Sequence, residues 1–147
     1  MNRATFYHHF LDKYDLLEKV IKEDLMKNVL HELSNNEEFN EEMLMSLFLS
    51  ITKFHASLSN RCQRSYHDMA VNLEAILKKE LERIIFQALL KKYQNESSEK
   101  LRIIATMLSW LFYGASIDWK QHSSKSPEDY LEYASLSIRE LIKNTLA

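Results

Sequence analysis

One glycine, Gly114, one proline, Pro127, and one cysteine, Cys62, in 147 residues leave this chain few ways to turn tightly. Sheets need turn residues far more often than that, so a β-rich fold is excluded and helices are favoured. A lone cysteine cannot make an internal disulfide, and it fits a reducing compartment. A glycine-rich phosphate loop cannot be built from one glycine. No apolar run approaches the ~20 residues of a membrane span. The start, Asn2-Arg3 followed by aromatics and histidines, lacks the apolar stretch of a signal peptide, so a cytoplasmic location is expected. Net charge is −2, so any attraction to nucleic acid must come from a local patch.

Metal and catalytic spacings are missing as well. Of the six histidines, His8 and His9 are adjacent and point to different sides of a helix. There is no His-x-x-x-His or Glu-x-x-His pair, which removes the two-histidine helix site and the di-iron bundle pattern. His31, His55 and His67 could meet only through tertiary folding. Cys62 lies in a polar break between Arg61 and Gln63-Arg64; two arginines would favour its thiolate, yet an incidental surface thiol is the simpler reading. No nucleophile has a base at a useful spacing. The expectation is no enzyme, no catalytic residue, no metal and no cofactor.

What the chain has is helical periodicity. Residues 3–10 read as a short helix, and Asp12 with Asp15 reads as the cap of a longer one. Leu17, Ile21, Leu25, Val29 and Leu33 then recur every four residues, with Val20 and Leu30 beside them. Asn40 opens the next helix, with Glu41 and Glu42 well placed in its first turn and Leu44, Leu47, Phe48, Ile51, Phe54 and Leu58 as its apolar positions. Residues 65–93 are predicted helical with an interruption near Asp68 to Asn72; the strong part carries Leu73, Ile76, Leu77, Leu81, Ile84, Ile85, Ala88 and Leu89. Lys78-Lys79, Lys91-Lys92 and Arg102 read as solvated helix faces, and Glu37 and Glu38 as surface charge. The last helix starts at Ser126 with Pro127 in its first position, and Leu131, Ala134, Ile138, Leu141 and Ile142 form its stripe. Six or seven helices and no sheet are expected.

Residues 98–121 differ from the rest. One stripe is Leu101, Ile104, Ala105, Leu108, Phe112, Ala115 and Trp119; a second is Ile103, Met107, Trp110 and Ile117. Two apolar faces predict burial on two sides, one against the chain's own core and one against a partner, for which a second copy is the obvious candidate. Gly114 in mid-helix costs about 1 kcal/mol against alanine, which close helix approach would explain; a tolerated glycine without a role is the alternative. A homodimer is therefore expected, with Trp110, Gly114, Ile117, Ile138 and Leu141 in its interface. Phe54, Phe86, Trp110 and Tyr113 are candidate ligand-pocket aromatics, although such residues more often serve plain core.

The opening segment carries the functional signal. It reads Thr5-Phe6-Tyr7-His8-His9-Phe10, then Lys13, then Leu16-Leu17. Small and polar residues at a helix start can approach base edges, and a tyrosine hydroxyl or a lysine can reach phosphates. The spacing resembles the recognition helix of the tetracycline-repressor (TetR) family over about 17 residues. The resemblance implies that Arg3, Ala4, Thr5 and His8 face DNA, with Tyr7, His9 and Lys13 near the sugar-phosphate backbone; ordinary helix packing is the alternative for Tyr7 and His9. Phe6 and Phe10 would be core residues of the helix-turn-helix unit. A weaker similarity, Phe112-Tyr113-Gly114-Ala115, then Trp119 and Ser126-Pro127-Glu128, is to effector domains of TetR-family regulators related to dihydroxyacetone-kinase activators, whose last two helices form a four-helix dimer interface.

These resemblances imply an all-α, TetR-type regulator. Residues 1–14 would be the remnant of a helix-turn-helix domain that lacks its first two helices, with the recognition helix at 3–10. Residues 15–147 would be the helical effector-binding and dimerisation domain. The partners implied are operator DNA for the full-length protein, an unidentified small-molecule effector and a second copy. With the reader incomplete, a dimerising module that no longer binds DNA is the other reading.

Overall fold

Side-chain oxygens set where the helices begin. The computed structural model describes residues 15–24 apart from Leu17, Lys27, and residues 38–61 and 66–146. Residues within 15–24 are helical (α1), followed by α2 (Glu41–Arg61), α3 (Tyr66–Lys92), α4 (Ser98–His122) and α5 (Pro127–Leu146). Ahead of α2, the Asn40 Oδ1 accepts from the Met43 amide at 2.8 Å. Ser97 Oγ accepts from the Lys100 amide at 3.2 Å, and Ser126 Oγ from the Asp129 amide at 3.1 Å. Each satisfies an amide that the first helical turn leaves without a carbonyl. Ser126 was expected in this role from sequence and Asn40 as the opening of α2; Ser97 was not expected. Among the described residues there is no strand, and five helices are seen; the predicted helix at 3–10 lies outside them.

The core forms where the four-residue repeats face one another. Helix α3 lines up Leu73, Leu77, Leu81, Ile85 and Leu89 along one buried edge and packs along α4, which presents Leu101, Ile104, Ala105, Leu108 and Phe112. Helix α2 packs against α4 and α5. Its Phe48 is fully buried, meets Phe112 at 6.5 Å between ring centroids and stacks on Tyr130 of α5 at 5.9 Å. One aromatic thus joins three helices. Two polar ties close the open ends: Lys92 Nζ donates to the Phe39 carbonyl at 2.7 Å, and Arg139 Nε to Glu41 Oε2 at 2.6 Å. Of the α1 stripe, Ile21 is buried, while Val20 beside it is exposed.

Two expectations are corrected. Helix α3 runs unbroken from Tyr66 to Lys92, so there is no interruption at Asp68 to Asn72. Polar residues cost a helix little, and the buried edge is in place from Leu73 onward. Lys78 is not a solvated surface charge. Its side chain is only 16% exposed, and its ammonium sits over the Trp110 ring of α4 while pairing with Glu74.

Candidate interaction face

Helix α4 is apolar both inward and outward. Its inward stripe is in the core, with Leu101, Leu108 and Phe112 no more than 1% exposed. Its outward stripe is uncovered: Ile103 is 46%, Met107 55% and Trp110 60% exposed, and Leu111 lies at the stripe's α5 edge. Gly114 continues the line, and a methyl group built on it would meet no atom of the described residues within 4 Å. No close approach among the described residues therefore requires glycine at that position. On α5, Tyr133 and Leu136 are also exposed.

The backbones of α4 and α5 scarcely approach each other although only a short turn joins them. The gap is an open groove of about 610 Å³. Leu111, Ala115, Ala134, Ile138 and Leu141 make its apolar walls, and Tyr133 stands at its edge. Its turn end is polar. The Tyr130 hydroxyl donates to Asp118 Oδ2 at 2.7 Å, and His122 Nδ1 lies 3.3 Å from Asp118 Oδ1. Burial pushes the Tyr130 phenol up to about 12, and its hydrogen bond to the Asp118 carboxylate and that negative charge add to the shift. Lys125 Nζ sits 4.6 Å from the Tyr133 ring centre, while the Lys125 carbonyl accepts from the Trp119 indole at 2.8 Å.

The proposed interface residues fall on two layers. Trp110 and Gly114 are exposed, Ile117 and Leu141 are half-buried, and Ile138 is buried within its own chain beneath the groove. The proposed pocket aromatics are spread out: Phe54 is in the core, Phe86 is half-buried, Tyr113 is half-buried and Trp110 is on the surface. None of the four lines the α4–α5 groove. Phe54 and Tyr113 lie on either side of His55, at 6.5 and 6.1 Å between ring centres. His55 is buried, and burial, with the Lys120 charge acting in the same direction, holds its pKa down at about 4. The imidazole is thus neutral at pH 7.

The reader residues Arg3, Ala4, Thr5, Tyr7, His8, His9 and Lys13 lie outside the described residues. Sequence reasoning missed the Asp118–Tyr130–His122 cluster, which needs the turn that folds α5 back beside α4. It also missed Tyr133 and Leu136, whose three-residue spacing off the main stripe was the available signal. Among the described residues, no three His, Cys, Asp or Glu side chains group as metal ligands, and no helix is long and apolar enough to cross a membrane. Compared with known protein families, with curated proteins and with solved structures, the chain matches none.

Proposed function

We propose that this protein is a homodimeric, DNA-binding transcriptional regulator of the tetracycline-repressor kind, acting as a ligand-responsive repressor. The observation that carries the dimer is the outward face of α4. Ile103, Met107, Trp110 and Leu111 lead up the helix to a glycine that no described neighbour requires, and none of them is charged. That face also holds both a ridge and the groove beside it, as a surface that pairs with itself requires. The DNA-reading half of the proposal rests on the motif from Thr5 to Leu17. In this reading α1 links the reader to the helical domain. An effector bound in that domain would favour a state whose two readers no longer match successive major grooves, about 34–36 Å apart.

Two measurements test it. Sedimentation at micromolar concentration is expected to give a two-fold dimer, and a monomer there would remove the dimer. Crosslinking of the tagged protein to DNA in its host, expressed from its own locus, is expected to enrich discrete sequences. Arg3→Ala should change which sequences are enriched, because a guanidinium at a recognition-helix start can reach a guanine edge. Lys13→Ala should weaken all of them alike, as loss of a phosphate contact does. A dimer that enriches no DNA would favour the other reading, a helical interaction module.

A further inference from the structure

We propose that Lys78 of α3 clamps the Trp110 indole in place and makes it the anchor of the self-association face. This rests on the homodimer reading above. The Lys78 ammonium lies 3.7 Å from the Trp110 ring centre, and the Tyr113 ring centre is 5.7 Å away. Glu74, one turn earlier on α3, holds the same ammonium at 2.6 Å. A carboxylate therefore fixes the cation, and the cation fixes the electron-rich face of the ring. Trp110 remains 60% exposed, so the clamp occupies one side of the indole and leaves the rest open to a partner.

Ordering a mobile side chain is one of the costs of association, and tryptophan is among the residues that most often dominate an interface. An exposed tryptophan free to change rotamer would lose that freedom on docking. Here the loss is taken when the chain folds, because Glu74, Lys78 and Trp110 are already in contact in the single chain. The occupant is a second copy. Ile103, Met107, Trp110, Leu111 and Gly114 present no charge to select an acidic or basic partner, and the groove beside them can receive a ridge like their own. Lys79, the next residue on α3, is exposed and provides the matched control.

The experiment uses a Trp119→Phe background, in which Trp110 is the remaining one of the two tryptophans. Sedimentation equilibrium gives the dissociation constant, and time-resolved fluorescence anisotropy on diluted protein gives the mobility of the indole. Lys78→Met is expected to raise the dissociation constant by about five- to tenfold and to add fast indole motion. Lys78→Arg should restore both, since a guanidinium also stacks on an indole, and Lys79→Met should change neither. A dimeric parent whose affinity and indole mobility ignore Lys78→Met overturns the anchor role and leaves the homodimer standing. A parent that is monomeric at every concentration overturns the homodimer reading and the anchor role with it.

Discussion

The inward and outward faces of α4 are built from similar apolar residues and end in opposite surroundings. Leu108 and Phe112 are enclosed by α2 and α3, while Met107 and Trp110, one position away from Leu108 or two from Phe112, stand in solvent. Removing apolar surface from water stabilises by about 25 cal/mol per Å², and in the single chain the inward face collects it in full and the outward face only in part. Hydrophobic periodicity therefore reports that a residue is to be covered and is silent about what covers it. The fold answers for one face, and the exposed one defines a question for association.

The largest expected effect breaks the comparison most directly. Phe112→Ala should lower unfolding stability by about 3–5 kcal/mol, the range for emptying a tightly packed aromatic site. Met107→Ala should leave the stability of the dilute, monomeric chain within about 0.5 kcal/mol, as surface changes do, yet raise the dissociation constant. Urea unfolding across a series of protein concentrations measures both. Equal losses in dilute protein would mean that the outward face is already covered within the chain.

Next in size is an acid sensitivity confined to the interior. His55 has its folded pKa depressed from 6.5 to about 4, chiefly by burial and further by the Lys120 charge. Between those two values the unfolded chain binds a proton that the folded chain refuses. Stability from this group is complete above pH 6.5, falls as the pH drops through that window and levels off below about 4. At about 1.4 kcal/mol per unit, the full loss is on the order of 3 kcal/mol. Comparing urea midpoints at pH 7.5 and 4.5, His55→Gln should lose less stability on acidification than the parent. Identical losses would show that other groups, such as the carboxylates, account for the acid response. Because His55 packs on the inward side of the bundle, this effect should be independent of protein concentration.

Much of the fold was legible because it depends on local rules. The cap at Asn40, the Ser126-Pro127 start and the inward stripe of α4 follow from hydrogen-bonding side chains and a 3.6-residue period, which need no knowledge of neighbours. Lys78 was misread for the opposite reason. A lysine next to a lysine on a helix looks solvated until α4 lays Trp110 beneath one of them. The groove is likewise invisible in the sequence, since it exists only because α4 and α5 stay apart after the turn. Of the candidate site, the two apolar faces and Gly114 were readable as a pattern; which aromatics gather and where the polar cluster forms depend on helix placement.

The smallest effect should have opposite signs for the single chain and for the proposed dimer, which makes it the sharpest test of the comparison. Glycine in a helix interior is less favourable than alanine by about 0.8–1 kcal/mol, partly because it frees the unfolded backbone. A methyl group on Gly114 meets nothing among the described residues within 4 Å, so no clash with them offsets that gain. Gly114→Ala should therefore raise the stability of the dilute chain by up to about 1 kcal/mol. If Gly114 marks the point where two copies of α4 cross, the same methyl group separates the helices, loosens the contacts of Trp110 and Met107 in the turns before it, and weakens the dimer. Gly114→Leu should weaken it further, because its side chain is larger. A variant that is more stable as a monomer and less able to associate identifies the crossing point. Higher stability with unchanged association moves the crossing elsewhere on the stripe, toward Ile103 or Met107, where the side chains are exposed but not small.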